Sequence, residues 1–138
     1  MNEARKNCVL VVDDDPRIVR FIRVGLIAHG YDVLTAADGA EALELVRAKQ
    51  PDIILLDIIM PVKDGFEVLQ ELRTFSSVPV IAFSAQSSAS SRALSLGAND
   101  FVSKPFRPDE LVQRIKLLLN GVAIDGSVND PGLTGKVK

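Results

Sequence analysis

The 138-residue sequence predicts an α/β fold, a doubly wound domain on a five-stranded parallel sheet in which each strand is followed by a helix. Short unbroken apolar runs at 8–12, 53–56 and 80–83 suit strands buried on both faces, the usual state of a parallel strand. The stretches between them carry apolar residues at spacings of three and four, as helices with one buried side do. Parallel neighbours need crossovers, and crossovers are almost always right-handed, so helices must cover both faces of the sheet.

The first strand, 8–12, stops at Asp13, Asp14 and Asp15. Its helix is marked by Ile18, Phe21, Ile22 and Leu26, with Pro16 in the first turn behind a capping Asp15 and Gly30 just past the end. Residues 31–36 form a weaker strand. Asp38 and Glu41 then stand at capping-box spacing before a helix carrying Ala42, Leu43 and Val46. The run 53–56 ends in Asp57, and the next helix, led by Phe66, Leu69 and Leu72, begins near Asp64. The run 80–83 ends in Ser84 and precedes a helix with Ala93 and Leu94. Residues 101–103 form a second weak strand, closed by Lys104 and Pro105. The last helix opens at Pro108 with Asp109 and Glu110, whose charges suit a helix N-terminus, and carries Leu111, Ile115 and Leu118 before Gly121.

One domain over 1–121 accounts for these elements, while 122–138 has no periodicity and reads as a flexible tail or the start of a linker. Hydrophobic residues at 47% and charged residues at 25% rule out wholesale disorder. Sixteen Lys and Arg against 18 Asp and Glu leave a net charge of −2, too balanced for a module that neutralises phosphate backbone, so direct nucleic-acid binding is not expected. The single cysteine, Cys8, allows no internal disulfide or zinc cluster, and its apolar neighbours predict a buried small hydrophobe. With no signal-peptide core and no membrane span, the expected setting is the reducing cytoplasm.

In open sheets of this kind ligands bind beyond the carboxyl ends of the strands. Asp13, Asp14 and Asp15 after the first strand and Asp57 after the third project from that edge. One carboxylate suffices to cap the first helix, and Asp15 before Pro16 is the natural choice, leaving Asp13 and Asp14 unexplained. Asp57 has no cap to serve. Carboxylates brought together from two neighbouring strands repel one another unless a cation offsets them, and a small set of hard oxygen donors suits Mg²⁺. Ser84 and Lys104 end the fourth and fifth strands at the same edge. A hydroxyl, an ammonium and a carboxylate-bound cation together can hold a phosphoryl group.

Four segments carry a resemblance to one family. They are Val11-Val12-Asp13-Asp14-Asp15-Pro16, Leu55-Leu56-Asp57-Ile58-Ile59-Met60-Pro61-Val62-Lys63-Asp64-Gly65, Phe83-Ser84-Ala85, and Gly97-Ala98-Asn99-Asp100-Phe101-Val102-Ser103-Lys104-Pro105-Phe106. In order and spacing, from about residue 7 to 120, the chain resembles the CheY-like response-regulator receiver domain of two-component signalling. The resemblance implies a flavodoxin-like sheet of strand order 2-1-3-4-5 and a phosphoryl group passed from a histidine kinase to Asp57. It implies Mg²⁺ held by Asp14 and Asp57 directly, by Asp13 through water and by the backbone carbonyl of Ile59. Ser84, where threonine is commoner, and Lys104 would contact the phosphoryl oxygens, and Ser84 with Phe101 would form the switch. It further implies a cis Lys104-Pro105 bond. Ile59 and Gln86, apolar and neutral, imply slow self-dephosphorylation. The domain would be a phosphoacceptor that catalyses its own modification rather than an enzyme acting on other molecules.

The partners implied are a histidine kinase and a downstream effector or output domain. Two output modes stay open. One is a phosphorylation-dependent homodimer through Asp100, Glu110, Arg114 and Lys116, for which Ser90 and Ser95 replace expected charges; the other is a monomer that docks a target. A receiver-like interaction module that is never phosphorylated is the alternative from another class, opposed by the joint presence of Asp14, Asp57 and Lys104. A haloacid-dehalogenase-type phosphatase needs an acid two residues after the nucleophile, where Ile59 stands, and three aspartates in the first loop would repel a flavin phosphate. His29, beside Gly30 at a helix end, reads as a charge near the helix C-terminus rather than a relay histidine.

Overall fold

The computed structural model describes residues 5–121. Five strands, β1 (Cys8–Val12), β2 (Asp32–Ala36), β3 (Ile53–Asp57), β4 (Val80–Ser84) and β5 (Asp100–Ser103), alternate with α1 (Pro16–Ala28), α2 (Gly39–Lys49), α3 (Gly65–Leu72), α4 (Ser90–Ser95) and α5 (Pro108–Leu119). All strand pairs are parallel, in the order β2-β1-β3-β4-β5. This is the expected doubly wound, flavodoxin-like sheet.

Residue parity divides the core. Leu10, Val12, Ile54, Leu56, Val80 and Ala82 point to the face covered by α2, α3 and α4. Val9, Val11, Ile53, Leu55, Ile81 and Phe83 point to the opposite face, where Ile22 and Leu26 of α1 and Leu111, Val112 and Ile115 of α5 meet them. Alternation of side chains along a strand makes both sets apolar, which is why the runs read as continuous. Because every crossover returns the chain to the same end, all five strands deliver their C-terminal residues to one edge.

Local punctuation explains the element boundaries. Asp15 caps α1, its side chain accepting from the Arg17 amide, and Pro16 and Pro108 open α1 and α5. Gly30 and Gly121 adopt φ of 90° and 79° past their helices, where a left-handed residue ends the winding. The expected capping box at Asp38 is only half made. Asp38 accepts from the Glu41 amide, but the Glu41 carboxylate reaches past it to the Ala37 amide. The reciprocal box forms at Asp64 and Glu67 instead, fixing the start of α3 behind Asp57.

Three side-chain expectations are corrected. Cys8 is half-buried, because it opens β1 at the strand's outer end, where its amide donates to Asp52. Phe21 is 48% exposed: Ile22 takes the inward position on α1, and adjacent residues on a helix cannot share one face. Leu94 is likewise exposed, the buried place in the six-residue α4 falling to Ala93. The reading of 122–138 as tail or linker lies outside the described residues.

Candidate functional site

Asp13, the first residue beyond β1, and Asp57, the last of β3, come together because β1 and β3 are neighbours in register, Val12 beside Leu56. Both are almost fully buried, at 1% and 3% exposure, whereas Asp14 is exposed at the rim. One carboxylate oxygen from each of Asp13, Asp14 and Asp57 lies within 4.8 Å of the others. Each buried acid has a local backbone donor that sets its orientation. The Asp15 amide donates to Asp13 Oδ1 at 2.9 Å, and the Ile59 amide donates to Asp57 Oδ1 at 3.2 Å.

Lys104 enters from the far side of the sheet. Its Nζ lies 3.5 Å from Asp13 Oδ2 and 3.6 Å from Asp57 Oδ2, and 5.2 Å from the centre of the Phe83 ring. The Lys104 amide donates to the Ser84 carbonyl at 2.9 Å, holding the end of β5 against β4, and the following Lys104-Pro105 bond is cis, as expected. Ser84 is fully buried beside this pairing, and its Oγ accepts from the Gln86 amide at 3.0 Å. Phe101, on β5, is half-buried against the core on the α2–α4 face.

One charge cannot neutralise two buried acids. Burial pushes the Asp57 carboxyl up, the neighbouring Asp13 charge pushes it further, and Lys104 only partly offsets them, leaving its pKa at about 7. A group of hard oxygen donors with excess negative charge, part of it open to solvent through Asp14, fits a small divalent cation that keeps several waters. The arrangement brings together Asp13, Asp14, Asp57 and Lys104. Asp15 stands apart as a helix cap paired with Arg17, and the His29 ring bonds the Gly25 carbonyl of its own helix at 2.9 Å, away from the strand ends.

Sequence reasoning assigns no role to Gly65, yet the site depends on it. A Cβ there would lie 2.6 Å from the Asp57 carbonyl and 2.6 Å from Ile58 Cα, so only glycine lets α3 begin this close to the end of β3. The Gly65 amide donates to the Ile58 carbonyl at 2.8 Å across that approach. The signal in the sequence is its place in the Lys63-Asp64-Gly65 turn. Asp100, named from the sequence as one of the charges of a possible dimer face, is buried, and both its oxygens lie 2.8 Å from Arg114 Nη1 of the same chain.

The response regulator receiver domain profile matches residues 9–116, and the chain belongs to that family, the receiver domains of two-component response regulators. Among curated relatives it is 44% identical over 128 residues to a probable transcriptional regulator, ycf27, of Porphyridium aerugineum, covering 91% of this chain and 53% of the relative. It is 40% identical over 129 residues to the response regulator MprA of Mycobacterium sp. (strain KMS), covering 91% and 56%. The chain thus spans about half the length of the curated relatives it matches. Among solved structures, the receiver domain of the Francisella response regulator 1452 superposes with a TM-score of 0.79 at 37% identity, covering 84% of this chain and 98% of that one. A putative response regulator from Chloroflexus aurantiacus J-10-fl gives 0.80 at 32% identity, covering 84% and 99%.

Proposed function

We propose that Asp57 accepts a phosphoryl group from the phosphohistidine of a histidine kinase, in a Mg²⁺-dependent reaction that this chain itself promotes. The observation that carries the reading is the buried Asp57 carboxylate with Asp13 and Lys104 converging on it. An Asp57 oxygen attacks phosphorus in line, the phosphorus–nitrogen bond breaks, and the histidine nitrogen departs with its electron pair. Lys104 neutralises charge on the transferring oxygens, and Ser84 donates a hydrogen bond once its hydroxyl turns to them.

Asp14 and Asp57 would hold Mg²⁺ directly, Asp13 through water and Ile59 by its carbonyl, and the bound ion would supply charge stabilisation on the phosphoryl oxygens. Held close, the reactants need little further ordering, which offsets the weak nucleophilicity of a carboxylate. Ile59 and Gln86 offer no general base to activate water, so the acyl phosphate is lost slowly by self-catalysis.

Ser84 and Phe101 form the switch. Withdrawal of Ser84 toward the phosphoryl group frees space that the Phe101 ring fills, and the α4–β5–α5 surface changes for an effector or an output domain. An output domain in a longer parent is consistent with the half-length match to the curated relatives. The cytoplasm is the proposed setting, and among the described residues no helix is long and apolar enough to cross a membrane. Incubating the chain with acetyl phosphate and Mg²⁺ and measuring intact mass tests the assignment. One phosphoryl adduct that disappears in Asp57→Ala is expected, and an undiminished adduct in that variant refutes the site.

A further inference from the structure

We propose that α4 is a lever, hinged at its C-terminal end by Arg73 and held down at its N-terminal end by stacking of Arg92 on Phe66, and that phosphorylation of Asp57 frees the N-terminal end. The trigger rests on the phosphoacceptor reading above; the hinge and the latch do not. Apolar packing does little to fix α4. It has six residues, of which Ala93 alone is buried, and Leu94 stands exposed. Neither α4 nor the 3₁₀ turn before it, Ser87–Ala89, has a side-chain cap. A short helix without a cap or a wide buried face has little stability of its own. Two guanidinium groups tie this one to α3, and neither forms an ion pair among the described residues.

The two ends are tied differently. At the C-terminal end the Gly97 carbonyl accepts from Arg73 Nε at 3.1 Å and Nη2 at 2.8 Å, and Arg73 also donates to the Ser76 carbonyl and to Asn99 Oδ1, at 3.1 and 3.2 Å. Asn99 is pinned in turn to β4, its amide donating to the Val80 carbonyl at 2.8 Å and its Oδ1 accepting from the Val80 amide at 2.9 Å. Gly97, at φ 113°, leaves room for the guanidinium, since a Cβ there would lie 2.9 Å from the Arg73 side chain. Charge-assisted bonds to carbonyls, partly shielded from water, make this the firm end. At the other end the guanidinium carbon of Arg92, an exposed residue, lies 4.1 Å from the centre of the Phe66 ring. A cation–ring contact open to water is weak. Phe66 does not follow α4, because it belongs to the core and stands next to Gly65, whose close approach fixes α3 against β3.

A route leads from the site to the weak end. Ser84 Oγ accepts from the Gln86 amide at 3.0 Å, and the Gln86 carbonyl accepts at 3.0 Å from the amide of Ala89, the residue before α4. Withdrawal of Ser84 toward a phosphoryl group on Asp57 takes the acceptor from Gln86 and loosens residues 85–89, which carry the start of α4. With its far end held by Arg73, α4 then turns away from α3 and Arg92 leaves the ring. The contact acts as a bias: it favours the unphosphorylated position and sets how often the other is visited.

NMR of the full chain reads the latch directly, because protons above an aromatic ring are shifted upfield. The Arg92 δ protons should show that shift in the unmodified chain and lose it in Phe66→Leu, which keeps an apolar side chain in the core. A shift that is absent at the start, or that survives the variant, overturns the latch. In chain treated with acetyl phosphate and Mg²⁺, with the adduct verified by intact mass, the shift should disappear, and the amide resonances of residues 87–92 should move more than those of Gly97 and Asn99. A retained shift, or movement largest at Gly97 and Asn99, overturns the lever. Arg92→Ala should raise the rate of adduct formation about two- to fivefold, the range of an exposed cation–ring contact, and Arg92→Lys should raise it less, since an ammonium can still sit over the ring. Arg92 is exposed and outside the site, so folding is kept and checked by the melting temperature. Equal rates in all three chains overturn the proposal. Absence of any adduct refutes the phosphoacceptor reading and the trigger with it, whereas an adduct with the latch unmoved refutes the lever alone.

Discussion

Lys104 Nζ lies nearly equidistant from Asp13 and Asp57, at 3.5 and 3.6 Å, although the three residues stand at the carboxyl ends of three different strands, β5, β1 and β3. One ammonium shared between two buried carboxylates leaves net negative charge in the site, and that imbalance has measurable consequences.

Raising a carboxyl pKa from 3.8 in the unfolded chain to about 7 in the folded one means the native state holds the extra proton between those values. The unfolded state then binds fewer protons, so this group lowers stability as pH climbs from about 4 to 7, and the loss is complete above 7. In chelator, Asp57→Asn should leave the melting temperature near pH 4 little changed and raise it at pH 8, by an amount equivalent to roughly 1 kcal/mol or more. A pH-independent effect in thermal denaturation would contradict burial and Asp13 as the source of the raised pKa.

Mg²⁺ should raise the melting temperature of the unmodified chain, since a ligand that binds only the native state stabilises it by about 2.7 kcal/mol at one hundred times its dissociation constant. Asp14→Asn removes the exposed member of the carboxylate group and should blunt the response. An equal shift in that variant would place the cation elsewhere.

Gly65→Ala introduces a Cβ that meets backbone atoms of Asp57 and Ile58, which cannot yield as a side-chain tip would, and the fully buried Ile58 side chain. A cost of about 2–3 kcal/mol is expected from overpacking, together with weaker phosphorylation, because relief of the clash must move the Asp57 carbonyl. Denaturant unfolding and the acetyl phosphate assay measure the two effects separately.

Val62 sits at φ 68° with its side chain fully exposed, in a tight turn closed by donation from the Lys63 amide to the Pro61 carbonyl at 2.8 Å. A β-branched residue is strained in that conformation, and its side chain touches nothing that repays the cost. Val62→Gly should stabilise the chain by about 1 kcal/mol in chemical denaturation. A loss of stability would show that the turn is not strained.

Arg114 holds buried Asp100 with both carboxylate oxygens at 2.8 Å and lies 3.6 Å from Glu110. Arg114→Ala should cost roughly 2–3 kcal/mol, the penalty of leaving a buried carboxylate without its partner. A homodimer through crossed pairs on this face must first give up that intrachain bond, whereas a monomer that docks a target keeps it. Sedimentation of the phosphorylated chain at high concentration distinguishes the two, and Arg114→Glu should dissolve any dimer that forms.

Much of this protein is written locally. Apolar runs, helical spacing and the proline and glycine stops place ten elements because burial on one or two faces and helix capping depend on near neighbours in the chain. The acidic residues after β1 and β3 and the hydroxyl and lysine after β4 and β5 are legible as strand-end residues, since a parallel sheet sends all its carboxyl ends to one side. Tertiary structure decides what each of them touches. Strand order brings Asp13 beside Asp57, the path of the β5–α5 connection brings Lys104 between them, and close approach of α3 to β3 makes Gly65 indispensable. Pairing of Asp100 with Arg114, and the choice of Ile22 over Phe21 for the core, arise the same way. Sequence spacing gives the phase of a helix or strand, but distances between residues far apart in the chain exist only once the sheet has fixed its order and twist.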